Sequence, residues 1–419
     1  MGNQELIIIG NGFDLQAGLK STFSDFYKSR YNVESLDRID RQWETQILKN
    51  NRNVSIWDLL ICTYVQNDLE NLQDWRDVES VISEVLRGIS NNNKIHFVKN
   101  IFSDVYMIKS VTNVFVDLLN GESSVPARTR KTLKDYFMAY YIIEALSRSY
   151  PDFKNWINAK PDYSTERELE EGDESSFFNG LNFNQNSTQI LAPFLLKELR
   201  KFESAFSEYL NEELQKNTLY RSRVNKLFQI MTEGTTSSEF QVLSFNYTAQ
   251  NDNERFTPEY RNIHGSLKHN NIIFGIDSSD LVSDKGDTDV NLVKFTKTSR
   301  ILKLTNNSLT NKNSNWKGQQ ISKIIIYGHS LGEADYSYFQ SIFDSVNLYQ
   351  SKTKLVFAYS IYDLKKSEEI ETTYETSVEK LMYRYGQSFS NQSHGRNLLH
   401  KLLLEDRIEI RLITSHFSV

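Results

Sequence analysis

The apolar positions of this chain fall into two patterns that change along its length. Short runs rich in β-branched residues occur at 6–9, 240–245, 271–274, 321–327 and 354–359, each followed by Gly, Asn, Asp or Ser. They lack strict alternation, which suits strands covered on both faces, as in a parallel sheet with helices packed on it. Between about 31 and 234 these runs nearly vanish and helical spacing takes over, at 56–72, 78–89, 132–147 and 193–214. Residues 151–188 interrupt that region with Pro, Asn, Ser and an acidic run at 166–174, and read as a mobile loop. Residues 278–289, rich in Ser and Asp, form a second such segment. After 359 come helical patterns at 364–385 and 396–404, then an alternating strand at 408–413.

The pattern predicts an α/β fold: a Rossmann-like parallel sheet built by both ends of the chain, residues 1–30 with 235–419, and a large α-helical insertion over 31–234. A length of 419 residues agrees with more than one domain, since a single core seldom grows past roughly 250–300 residues. A hydrophobic content of 39% with 12% aromatics excludes overall disorder. The net charge of −6 gives no general attraction to phosphate backbones, so nucleic acid is not an expected partner. No run approaches the ~20 apolar residues that span a bilayer. The apolar start at 6–9 is too short, and lacks the basic lead, for a secretion signal. The lone Cys62 excludes an internal disulfide and a cysteine-rich zinc site, so a cytoplasmic protein without a metal is expected, with Cys62 a buried core thiol.

Four motifs carry candidate chemistry. The first, Gly10-Asn11-Gly12-Phe13-Asp14, follows the 6–9 strand and opens a short helix at 15–19. Its glycines allow a tight turn whose amides, with the helix start, suit a phosphate. It departs from the full dinucleotide fingerprint, because Leu15 holds the third glycine position. The rival reading is a strand-to-helix turn capped by Asp14. The second, Ser244-Phe245-Asn246-Tyr247-Thr248, sits where the carboxyl end of a strand meets the ligand crevice of an α/β sheet, though Asn246 would also organise a plain turn. The third is Asn262-Ile263-His264-Gly265-Ser266. His264 lies 18 residues after Asn246, a spacing that lets two neighbouring strand ends bring the side chains together. His264 is a candidate base and Gly265 permits close approach of a ligand, against the bland reading of a structural histidine.

The fourth motif, Gly328-His329-Ser330-Leu331-Gly332, admits two readings. It is a second strand-to-glycine turn, and it is also spelled like the nucleophile elbow of serine hydrolases, with Ser330 followed in order by Asp363 and then His394, His400 or His416.

Taken together, these motifs resemble the AbiH family of abortive-infection proteins and, more distantly, the sirtuin-like NAD-binding fold. The matching pieces also include Trp75-Arg-Asp-Val-Glu79, Phe274-Gly-Ile-Asp277, Phe295-Thr-Lys297 and Asp335, in order along the chain. The resemblance implies an anti-phage protein that binds NAD or a related nucleotide and hydrolyses its nicotinamide–ribose bond. Asn246 and His264 would be catalytic; Gly10, Asn11, Gly12, Phe13, Asp14, Ser244, Thr248, Gly265, Gly328, His329 and Ser330 would hold the cofactor. Thr248 stands where sirtuin-like enzymes carry an acid, which leaves open a non-catalytic nucleotide sensor; the Ser330 hydrolase is the third reading. A phage component as trigger and a homo-oligomer are the expected partners. Asp77 and Glu79 suit the start of a helix, and 294–297 reads as a solvated surface, against the alternative that it brings a lysine to a phosphate.

Overall fold

The computed structural model describes residues 4–31, 55, 57–58, 61, 75–90, 183–234, 240–248, 259–277, 281, 290–306, 321–332, 335–361 and 364–414. Cys62, Asp363, His416 and the expected helix at 132–147 lie outside the described residues.

The strands are β1 (Gln4–Ile9), β2 (Phe240–Ser244), β3 (Glu259–Asn262), β4 (Ile321–Tyr327), β5 (Lys354–Tyr359) and β6 (Ile408–Leu412). They form one six-stranded sheet in the order β3-β2-β1-β4-β5-β6, and every pairing is parallel. The order reverses between β1 and β4, the topological switch point at which an open α/β sheet leaves a crevice at its carboxyl ends. Registers align Ile9 with Ser244 and Tyr327, and Ser244 with Asn262. The segments beginning at Gly10, Phe245, Ile263 and Gly328 therefore all leave the sheet at one edge and one level.

The helices are α1 (Asn11–Gln16), α2 (Phe23–Tyr31), α3 (Trp75–Ser90), α4 (Phe183–Lys216), α5 (Tyr220–Met231), α6 (Val290–Val293), α7 (Lys297–Asn306), α8 (Tyr336–Ser345), α9 (Ser367–Gln387) and α10 (Gln392–Leu404). On one face of the sheet Leu6, Ile8, Ile324, Ile326, Leu355 and Phe357 pack with Phe339 and Phe343 of α8, Met382 of α9 and Leu398 of α10. Toward the other face, Phe13 packs on Phe228 of α5 and on Tyr327, and Phe228 stacks on Phe240. Helices on both faces explain why the central strands read as unbroken apolar runs.

Three expectations need correction. The helix expected at 15–19 is α1, Asn11–Gln16, so Asp14 lies inside it and Gly10, not Asp14, holds its N-cap position. Residues 271–274 form no strand, although Ile272, Ile273 and Phe274 are buried; instead Ile273 donates to the carbonyl of His264 at 2.9 Å, so the run is a loop packed against the segment that follows β3. The third strand on that side is β3, whose sequence Glu-Tyr-Arg-Asn hides it: an edge strand of four residues buries too little to show an apolar pattern. Residues 183–188, expected in the loop at 151–188, are the first turns of α4; the rest of that loop lies outside the described residues.

Contacts divide the chain into two units. One comprises Met1–Phe26, Phe206–Asp277 and Lys297–Val419 and carries the sheet; the other comprises Tyr27–Ala205 and Ser278–Thr296. The divisions at Phe26/Tyr27 and Ala205/Phe206 fall within α2 and α4. Inside the second unit, buried Asp58 accepts a two-pronged ion pair from Arg30, with Nε 2.7 Å from Oδ1 and a terminal nitrogen 3.0 Å from Oδ2. Trp57 donates to the Leu195 carbonyl at 2.9 Å. Helix α3 begins at Trp75 and buries Val78, Val81, Ile82 and Leu86, the stripe its spacing predicts.

Candidate functional site at the switch point

The two glycine turns meet at the switch point. Gly10 donates to the Tyr327 carbonyl at 3.0 Å, Gly12 donates to the Gly328 carbonyl at 2.8 Å, and Phe13 donates to the Gly10 carbonyl at 2.9 Å. A Cβ on Gly10 would lie 2.7 Å from both Gly328 O and His329 Cα, and Gly328 itself has φ +67°. The glycines serve the close approach of one turn to the other, and these three amides are spent inside the protein.

Around the first turn lies a buried polar group. Asn246 donates its side-chain amide to the Gly10 carbonyl at 2.9 Å. Its own carbonyl and that of Thr248 accept from Asn262 Nδ2 at 2.7 and 2.9 Å, and its amide donates to Ser244 Oγ at 3.1 Å. Beneath, Asp14 accepts from Tyr220 at 2.7 Å and from Thr248 Oγ1 at 3.0 Å. Burial pushes the Asp14 carboxyl up to about 6, with Tyr220, Thr248 and Asn246 pulling the other way. Burial, reinforced by the Asp14 charge, holds the Tyr220 and Tyr260 hydroxyls well above their ordinary range. Asn11 pairs with Ser21, its Oδ1 accepting from Ser21 Oγ at 2.6 Å.

A second group lies at the ends of β3 and β4. Asp335 sits between three basic side chains: Lys297 Nζ at 2.9 Å, His329 Nε2 at 3.4 Å and His264 Nε2 at 3.5 Å. His329 Nδ1 accepts the Leu331 amide at 2.9 Å, which puts the ring proton on Nε2, toward the carboxylate. Burial opposes the charge on Asp335, but Lys297 first and then the His329 hydrogen bond outweigh it and hold the carboxyl well below the usual carboxylate range. Burial first, then the Lys297 charge, pushes His264 down to about 3, so its ring is neutral. His264 Nε2 is buried and has no hydrogen-bond partner among the described residues.

The expected site residues therefore gather at one edge of the sheet but divide between two clusters. Phe245, which precedes Asn246 in the chain, packs its ring on the second cluster, 5.5 Å from the ring of His264 and 4.4 Å from that of His329. Asn246 serves the first cluster and His264 the second. Gly265 has φ +86°, and a Cβ there would lie 2.0 Å from the Asn271 carbonyl oxygen, so this glycine closes the loop onto 271–274. Lys297 is buried rather than part of a solvated surface. Its pairing with Asp335 is invisible in the spacing of the sequence, as is the approach of Tyr220, Tyr260 and Asn262 to the first cluster.

Ser330 is exposed, and positive φ falls on Gly328 and Leu331, so the strained turn that presents an elbow nucleophile is not made at Ser330. His394 stacks on Tyr349, ahead of the start of β5, whereas Ser330 follows the end of β4; in parallel strands these are opposite ends of the sheet.

Residues 6–359 match the family described as bacteriophage abortive infection AbiH. The chain belongs to the AbiH family. Neither a search of curated proteins nor one of solved structures returned a match. Family membership indicates a role in bacteriophage abortive infection. The matched span runs from β1 through β5, so both clusters of this AbiH protein lie within it. Among the described residues no helix is long and apolar enough to cross a membrane, and no group of three His, Cys, Asp or Glu forms a metal site.

Proposed function

We propose that this AbiH protein binds a nucleotide, NAD in the first instance, at the switch point and hydrolyses its nicotinamide–ribose bond. One observation carries the reading: His264 Nε2 is a buried, uncharged nitrogen without a hydrogen-bond partner, beside a carboxylate held ionised by Lys297. A buried polar atom left unsatisfied costs about 1–3 kcal/mol, which a ligand hydroxyl or water would recover. The strand order 3-2-1-4-5-6 supports it, being that of doubly wound dinucleotide-binding sheets, whose ligands lie across this crevice.

In such a reaction positive charge builds on the ribose as nicotinamide leaves, and water adds to give ADP-ribose and a proton. The Asp335 carboxylate favours that charge; Lys297, already paired with it, keeps the acid ionised before substrate arrives. A nitrogen with a pKa of about 3 holds a proton poorly, so His264 orients the attacking water or a ribose hydroxyl as acceptor and the proton passes on to solvent. Asn246 acts at one remove, by holding the first glycine turn.

The test is nicotinamide release from NAD by purified protein, with and without phage lysate. Release by the wild type and at least a hundredfold loss in His264→Ala is expected. No release under either condition, or unchanged release from His264→Ala, would remove the catalytic reading. The sensor alternative draws on Thr248, whose hydroxyl is already committed to Asp14. Calorimetric binding of NAD or ADP-ribose without turnover would favour it.

A further inference from the structure

β6 ends the sheet, and its outer edge is self-complementary. Leu355 donates to the Arg407 carbonyl and Ile413 donates to the Tyr359 carbonyl, each at 2.7 Å. In a parallel ladder the backbone groups of alternate residues face alternate sides, so 407, 409, 411 and 413 face β5. The N–H and C=O groups of Ile408, Ile410 and Leu412 therefore point outward. Ile410 and Leu412 are 39% and 41% exposed.

We propose that a second copy of this chain pairs with β6 antiparallel, about a two-fold axis through Ile410, to make one continuous sheet across a dimer. The register is fixed by the backbone. Ile410 pairs with Ile410 of the second copy, and Ile408 with its Leu412, so all six outward groups on each strand are used in hydrogen-bonded pairs. Glu409 then falls opposite Arg411 of the second copy in the closer, non-hydrogen-bonded pairs, where opposite charges attract. Any odd shift of register would set outward groups against inward ones.

The charges around the edge do not repel a second copy. Glu409 bonds Arg411 at 2.6 Å and Lys354 at 2.7 Å, and Arg411 bonds Glu233 at 2.7 Å, two acids against two bases. The sequence Ile-Glu-Ile-Arg-Leu holds neither the proline nor the lysine that commonly guards an open edge. Strand pairing alone buries less than the ~1,200–2,000 Å² of a stable interface. Leu403 and Leu404, 56% and 87% exposed at the end of the helix that leads into β6, add apolar surface beside it. Antiparallel pairing closes on itself, whereas head-to-tail addition would leave a fresh edge and grow into a filament.

The measurement is light scattering after size exclusion of the full chain, over a concentration series. A mass twice 48.9 kDa is expected for the wild type. Ile410→Lys sets two like charges face to face on the axis and should weaken the dimer at least tenfold. Ile410→Pro, which deletes an outward N–H and no bond to β5, should do the same. Glu409→Arg should weaken it and Glu409→Arg with Arg411→Glu restore it. Circular dichroism checks that each variant is folded. Amide exchange on the wild type adds a readout without mutation: protection at 408, 410 and 412 should rise with protein concentration. A monomer at every concentration, a dimer indifferent to Ile410→Lys, or protection at those amides in the monomer, which would mean the chain covers its own edge, overturns the proposal.

Discussion

Asn246 holds Gly10 across a sequence separation of 236 residues, its side-chain amide 2.9 Å from the glycine carbonyl. The same carbonyl accepts from Phe13, and Gly12 donates to Gly328, so the turn after β1 is pinned from the ends of both neighbouring strands. The amide of residue 246 is thus occupied before any ligand enters, and its removal acts on structure first.

Asn246→Ala should lower stability by about 0.5–1.5 kcal/mol, the net worth of one of the two hydrogen bonds to the buried Gly10 carbonyl, which keeps the Phe13 amide. Urea denaturation measures it. A loss within error of zero would mean that the turn is held without Asn246.

Gly328→Ala should be worse, and Gly234→Ala provides the control. Both glycines have positive φ, but a Cβ on Gly328 would lie 2.3 Å from Phe13 N, whereas nothing lies within 4 Å of one on Gly234. Gly234→Ala should cost about 1–2 kcal/mol, from φ alone, and Gly328→Ala clearly more. Equal midpoints in urea would contradict the packing of turn against turn.

The central strands were legible because they are buried on both faces: Leu6–Ile9 and Ile324–Tyr327 show it as uninterrupted apolar residues. β3 was not, since Glu259 and Arg261 belong to a short edge strand, while the apolar residues at 271–274 are buried without pairing as a strand. In the site, the glycine turns and His264 stood out through local spelling. Their partners did not: Lys297 and Asp335 are 38 residues apart, and nothing in either neighbourhood marks a buried ion pair. Gly10 and Gly12 were expected to free their amides for phosphate; the proximity of Gly328, a tertiary fact, gives those amides another use.

Asp14 should make stability fall as pH rises from about 4 to about 6. Its carboxyl titrates near 6 in the fold against 3.8 when unperturbed. Below pH 4 both folded and unfolded chains hold this proton, so there is no penalty. Through the window the unfolded chain ionises first, and above it the folded chain carries a buried charge, a difference of about 3 kcal/mol at 1.36 kcal/mol per pH unit. Asp14→Asn keeps an acceptor for Tyr220 and removes the titration. The stability of the variant relative to wild type should therefore rise across the window; a gap that does not change with pH would exclude this assignment.

His264 and Lys297 make the opposite test. With the imidazole down at about 3, the unfolded chain gains a proton below about 6.5 that the fold refuses, so this group lowers stability as pH falls from 6.5 toward 3. Lys297→Met removes a positive neighbour from His264 and the nearest counter-charge from Asp335, which then favours a protonated ring. The His264 midpoint should move up, and stability should drop by about 3–5 kcal/mol, because a largely buried carboxylate loses its partner. Lys297→Met with Asp335→Leu should regain part of that loss, since neither charge is then stranded. Histidine NMR titration, with the signal assigned by its absence in His264→Gln, reads the first effect, and denaturation reads the second. A wild-type ring that titrates near 6.5, or one that ignores Lys297→Met, would mean that His264 is exposed to water and does not share the electrostatics of the Asp335 cluster.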